Sequence, residues 1–141
     1  MKDIKQQIID IICQPQLAGF ATITADGKPW VRYVFCSGRE DMTIRFSSFM
    51  KARKVSQVRE NPEVHMTMGV TDPANMKPYL QVQGLAECVT DRDERHRFWN
   101  DTLKSYFQGP DDPNYGIIIV KPYRIELWSI GTMIPGIWEA H

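Results

Sequence analysis

The sequence predicts a single mainly β domain, an antiparallel barrel or sandwich with helices outside it. Several short runs alternate apolar and polar residues with period two, and tight turn signals rather than helical crossovers join most of them. That pattern argues against a parallel βαβ sheet. With no internal repeat and no low-complexity tract, 141 residues make one domain, 1–141, large enough to bury a core without disulfide or metal staples.

The elements follow in order. Ile4, Ile8, Ile11 and Ile12 recur at helical spacing, so residues 3–14 read as an amphipathic helix that stops near Pro15. Residues 19–25 and 29–37 are β-rich runs on either side of Asp26-Gly27, a hairpin signal because both central residues of a type I′ turn need positive φ. In 42–47, Met42, Ile44 and Phe46 share one face and Thr43, Arg45 and Ser47 the other, as in a half-buried strand. A short helix is expected over 51–60, ending before Asn61-Pro62. A strand follows over 64–70, with Val64, Met66, Met68 and Val70 on its apolar side, and then a proline-bearing loop over 70–78.

Residues 79–89 alternate over a long strand with Gly84 at its middle. Thr90, with Asp93 in the capping-box position, is expected to start a helix whose apolar stripe is Trp99, Leu103, Tyr106 and Phe107. "QGPDDPN" ends it. "YGIIIVKPYRIELWSIG" reads as two strand-like runs meeting at Lys121-Pro122, where the missing proline N–H suggests a bend or an edge.

Charge narrows the function classes. The 17 basic and 17 acidic residues balance, whereas nucleic acids and membrane surfaces are bound through a sustained positive field. No segment approaches the roughly 20 apolar residues of a membrane span, and the N-terminus has no continuous apolar run of the signal-peptide kind. Cys13, Cys36 and Cys88 are far apart and form no CxxC pair, which fits a reducing cytoplasm and suggests neither disulfide framework nor zinc site. A soluble, cytoplasmic protein is expected, without nucleic-acid, membrane or metal partners.

Two cationic features stand out. "RFSSFMKARKVSQVRE" gathers Arg45, Lys51, Arg53, Lys54 and Arg59 with no acid before Glu60, beside Ser47-Ser48, where a strand hands over to a helix. Read by charge alone, this is first a solvated helix face; free N–H groups at a helix start with Lys and Arg beside them also make a phosphate cradle. Arg32 lies mid-strand among large apolar residues, on the face of Val34 and Cys36, where an unpaired charge costs several kcal/mol. It calls for an anion, either a carboxylate or a bound phosphate reached from both Arg32 and the 51–54 corner. No Gly-rich phosphate loop is present, and His65, His96 and His141 lack metal-ligand spacing. His65 alternates away from the apolar side of its strand and reads as a surface histidine. Of the four tryptophans, Trp99 fits a helix stripe, while Trp128 and Trp138 lie in the C-terminal run, where an indole stacks on a planar ring or fills a dimer interface.

In this order the motifs resemble those of the pyridoxamine 5'-phosphate oxidase-like family of FMN-binding split barrels, in particular its short general-stress-protein branch. The resemblance rests on "DGKPWVRYVF", "RFSSFMKARKVSQVRENPEV", "YLQVQGLAECVTDRDE" and "VKPYRIELWSIG", and covers nearly the whole chain. It implies a six-stranded antiparallel split β-barrel and a homodimer with FMN in clefts between the subunits. By position, Arg32 and Lys54 would hold the FMN phosphate with Arg53 beside them, and Ser47 and Ser48 would contact the cofactor. The segment Arg32, Tyr33, Val34, Phe35 and Cys36 would run along the isoalloxazine, and Trp128 would approach from the other subunit. Ala52 stands where the family has a serine, so Lys51 or Ser48 would have to replace one phosphate contact.

The same resemblance sets limits. The family's substrate lysine falls at Ser37, and the closing Arg-Leu-His-like stretch is replaced by "TMIPGIWEAH", so oxidation of pyridoxamine phosphate itself is not expected. What is implied is a flavin-dependent oxidoreductase acting on an unidentified small molecule. Its main rival is a flavin-binding stress, storage or sensor protein without turnover. Deazaflavin and heme are used elsewhere in the wider fold, and for heme His65 is the only in-sheet histidine available as a ligand. A barrel binding single strands through aromatic residues fits the neutral charge least.

Overall fold

A computed structural model describes residues 2–69 and 72–141. The order is α1 (Ile4–Ile12), β1 (Gln16–Ile23), β2 (Pro29–Gly38), β3 (Ile44–Phe49), α2 (Arg53–Glu60), β4 (Glu63–Met68), β5 (Tyr79–Val89), α3 (Arg92–Phe98), a 3₁₀ turn (Asp101–Ser105), β6 (Tyr115–Trp128) and β7 (Gly136–Glu139). Strands β3-β2-β1-β4-β5-β6 form an antiparallel ring that β3 and β6 close, and β7 adds to the far half of β6. The predicted mainly β fold is thus a closed six-stranded barrel with three α-helices. Closure removes the free strand edges that an open sheet would expose.

Period-two alternation fills the barrel. Phe20, Val34, Cys36, Ile44, Phe46, Met66, Leu80, Val82 and Ile118 point inward, and Phe20 and Phe46 meet edge to face with ring centroids 4.8 Å apart. Helices α1 and α2 send Ile8, Ile12, Val55 and Val58 into the same core. The first half of β6 is buried on both faces, because Leu103 and Phe107 cover Tyr115, Ile117 and Ile119 from outside. That is why "YGIIIV" is a continuous apolar run and not an alternating one.

Several expectations are corrected. The β1–β2 turn is not a two-residue type I′ turn: Thr24 N–H bonds Lys28 O at 2.8 Å and Gly27 N–H bonds Thr24 O at 2.9 Å. Gly27 alone takes positive φ, 81°, as in a three-residue hairpin loop with a bulge. Met42 belongs to the preceding turn, with φ 78°, although it is buried like Ile44 and Phe46. The strand it was assigned to begins at Ile44 and runs on to Phe49, so Ser47 and Ser48 lie within β3, not at its handover to the helix. Helix α2 starts only at Arg53, with Ala52 as an N-cap that makes no side-chain bond.

Thr90 caps nothing. Asp91 precedes α3, again without a side-chain cap bond, and the expected long helix breaks after Phe98. Asn100 starts a separate 3₁₀ turn by accepting from Thr102 N–H at 3.0 Å, which leaves Tyr106 exposed. The two runs meeting at Pro122 are one strand, bent where Gln83 pairs with Arg124 but Gly84 with Pro122, so that Tyr123 is a bulge. The expected place of Val70 on the apolar side of β4 falls outside the described residues.

Gly84 has a packing reason at this bulge. A Cβ there would lie 2.9 Å from Val120 Cγ1 and 3.0 Å from Lys121 O. Gly84→Ala is therefore expected to lower stability by roughly 1–3 kcal/mol, read from denaturant midpoints, since backbone cannot move aside as a side chain can. An unchanged midpoint would mean that β5 and β6 separate there freely.

Candidate functional site

Strand β2 lies between two clefts. Val31, Arg32 and Tyr33, with Leu17, Gly19, Thr67, Met68 and Tyr79, line one of about 430 Å³. Phe35, Cys36, Ser37 and Ser47 line the other, of about 890 Å³, roofed by Phe98, Asn100 and Tyr106 from the α3 segment. Between them the outer face of β1 and β2 leaves Leu17, Val31, Tyr33 and Phe35 in solvent, Tyr33 at 81%. A contiguous exposed apolar ledge of this kind is a common feature of interaction surfaces. Among the described residues, no histidine or carboxylate lines either cleft, and burial pushes the Cys36 thiol up to about 12.

The inner face of β2 carries Arg32, and α2 meets it there. Arg32 Nη1 donates to Thr22 Oγ1 at 2.7 Å and to Trp30 O at 3.1 Å, while Nη2 donates to Gln57 Oε1 at 2.8 Å. Thr22, itself buried, closes a triangle by donating its hydroxyl to the same Gln57 oxygen at 2.5 Å. All these acceptors are neutral, so the expected alternative of a structural ion pair for Arg32 does not hold among the described residues.

Arg53, Lys54 and Gln57 share one face of α2 through their i, i+3 and i+4 spacing. The Arg53 guanidinium lies over the Trp30 ring, 5.6 Å from its centroid. Lys54 is half-buried and makes no hydrogen bond or ion pair among the described residues. Burial lowers the pKa of Lys54, and the nearby Arg32 charge lowers it further; Arg32 is lowered in turn by burial and by Arg53. Among the described residues, no carboxylate figures in either environment. The Cys88 thiol beside Lys54 offers no anion at neutral pH, because burial raises its pKa. Three cations therefore converge with their charge uncancelled, an arrangement that favours an oxyanion.

Other predicted residues separate. Ser48 is buried, its hydroxyl donating to Phe49 O at 3.0 Å, whereas Ser47 opens into the larger cleft. One pair in sequence thus serves two faces. Val34 is inside the barrel, while Tyr33 and Phe35 point out. Lys51 is exposed in the turn before α2, lining a separate shallow groove with Met50, Arg59 and Glu60. Trp128, at the end of β6 opposite Tyr79, donates its indole N–H to Glu126 at 3.0 Å. His65 faces outward, as expected from its strand register.

Sequence reasoning missed Gln57 and Thr22, which hold Arg32, and it did not foresee Glu94. Glu94 from α3 accepts Arg45 Nε at 2.8 Å and Nη2 at 3.0 Å, and Arg39 approaches the same carboxylate at 3.6 Å. Arg45 thus leaves the basic corner to fasten α3 to the barrel.

A closed antiparallel barrel of this topology, with its helix corner against β2, defines a split barrel. The chain belongs to the pyridoxamine 5'-phosphate oxidase family, whose model matches residues 4–129. It is 28% identical over 134 residues to general stress protein 26 of Bacillus subtilis (strain 168), covering 95% of this chain and 94% of that protein. The crystal structure of General Stress Protein 26 from Bacillus anthracis str. Sterne matches with a TM-score of 0.82 at 25% identity, over 97% of this chain and 98% of that chain. An F420 reductase matches with a TM-score of 0.64 at 29% identity, over 82% of this chain and 93% of that chain. Among the described residues, no helix is long and apolar enough to cross a membrane.

Proposed function

We propose that this protein binds FMN as a homodimer and is a flavin-dependent oxidoreductase acting on a small molecule other than pyridoxamine phosphate. The observation that carries the reading is the convergence of Arg32, Arg53 and Lys54 with no carboxylate among them, which suits a phosphate dianion. From there the flavin would extend along β2 toward Phe35 and Ser47, with its ring beside the larger cleft. Tyr33 and Phe35 are exposed in a single chain; a second copy would cover that ledge and complete the cofactor cleft, with Trp128 supplied from the partner. Bound FMN supplies the redox chemistry, and the chain's part is to bind, orient and exclude water.

That no histidine or carboxylate lines either cleft among the described residues supports a second reading, a flavin-binding stress, storage or sensor protein that does not turn over. The match to an F420 reductase makes a deazaflavin the cofactor to compare with FMN. Purified protein is expected to be yellow and to release a compound with the mass of FMN. NADH or NADPH oxidation with added electron acceptors would favour the enzyme; tight FMN with no such oxidation would favour the store. Colourless protein that takes up no FMN would remove both.

A further inference from the structure

The triangle of Arg32, Thr22 and Gln57 raises a question beyond cofactor identity: why a buried-side guanidinium is held by an amide. A carboxylate would hold it at least as firmly, since the arginine–carboxylate pair ionises both partners of the hydrogen bond and not the donor alone. It would also cancel the charge. We infer that Gln57 is a positioning residue that fixes Arg32 for the cofactor phosphate while leaving the full cationic charge of the corner available, and so sets selectivity for a phosphorylated flavin over an uncharged one. The inference rests on the FMN reading given above.

The geometry supports this assignment. Gln57 Oε1 receives both Arg32 Nη2, at 2.8 Å, and the Thr22 hydroxyl, at 2.5 Å, so its single oxygen fixes the guanidinium plane from α2 while Thr22 fixes it from β1. Trp30 O and Thr22 Oγ1 occupy Nη1. Thr22 is only 1% exposed, so water does not substitute for the amide on that side. Gln57 is also one helical turn from Arg53 and Lys54, so a carboxylate at this position would act on all three cations at once.

The test compares FMN with riboflavin, which lacks the phosphate, on wild type, Gln57→Glu and Gln57→Met. Gln57→Glu is nearly isosteric and is expected to keep its thermal midpoint. It should weaken FMN by roughly ten-fold or more and leave riboflavin within about two-fold. The salt dependence of FMN binding should become shallower, because the corner carries less net charge. Gln57→Met removes the acceptor without adding charge and should weaken FMN less, with the wild-type salt dependence. A merely structural glutamine would change both flavins together.

Equal losses for FMN and riboflavin, or unchanged FMN binding in Gln57→Glu, would overturn the assignment. Inorganic phosphate serves as a flavin-free probe, read as protection against thermal unfolding. If wild type is protected by phosphate but takes up no flavin, the FMN reading fails; loss of that protection in Gln57→Glu then still upholds Gln57, and its persistence overturns it.

Discussion

Replacing both Arg32 and Lys54 by alanine is expected to remove FMN retention by about two to four orders of magnitude, as each lost charged hydrogen bond is worth roughly 1.5–3 kcal/mol. Neither residue has a carboxylate partner whose release would offset the loss, so removing them relieves mutual repulsion but leaves the phosphate facing Arg53 alone. Lys54→Ala should leave the fold intact, because an uncompensated half-buried cation does not stabilise it, whereas Arg32→Ala removes the donor from Thr22 and Gln57 and is expected to lower stability by roughly 1–3 kcal/mol without unfolding the chain. Each single substitution should cost about half as much in binding free energy. The pH dependence follows from the same groups. Binding tightens as pH rises through the second phosphate ionisation, near ~6, and weakens again where Lys54 loses its proton, at a pH below that of an ordinary lysine. Equilibrium titration of the variants with FMN across pH checks both limbs; affinity within a factor of about two of wild type in the double variant would show that the phosphate lies elsewhere.

The second large effect is on stability. Glu94→Ala should destabilise the chain by about 3 kcal/mol, the low end for breaking a buried ion pair because Glu94 keeps some contact with water. Arg45 is only 7% exposed, and with Glu94 gone its guanidinium retains the Thr43 hydroxyl, at 2.6 Å, as its remaining bonded partner. Helix α3 has no fully buried residue of its own, and this pair joins the packing of Phe98 and the Tyr115 hydroxyl bond to Arg95 O in attaching it. The Arg45 hydrogen bonds hold the Glu94 pKa below its usual value of 4.5. Its contribution is therefore fully present above that pH and is lost as pH falls through the lowered value. Thermal melts of wild type and Glu94→Ala should converge at strongly acidic pH and separate most near neutrality. A constant gap at all pH values would mean that lost packing, not charge, dominates.

Legibility varied with how local each signal was. The strand over 79–89 has the ends that its sequence predicts, because alternation, the flanking proline loop and the mid-strand glycine all agree. Met42 misled because burial continues its alternation into a turn, where only the backbone angle betrays the change. β7 was missed: its four residues lie in "PGIWEA", and it exists only because β6 offers an edge beyond β3. The apolar stripe across 99–107 hid a break, since Asn100 starts a new turn inside it. At the site, Arg32 declared itself by sitting among apolar neighbours. Its holders did not, as Thr22 is ten residues away and Gln57 twenty-five, and a glutamine in a polar helix carries no local signal. Arg45 reads in sequence as part of the basic corner because its partner Glu94 lies 49 residues further on.

The central claim is that the corner formed by Arg32, Arg53 and Lys54 receives the phosphate of a bound flavin. Titration of flavin-free protein with FMN, followed by quenching of flavin fluorescence, tests it most directly when wild type and the Arg32, Lys54 double variant are run together. The expected result is saturation at one FMN per chain for wild type, and binding too weak to saturate for the double variant. No saturable binding by wild type, or equal binding by both chains, would contradict the account.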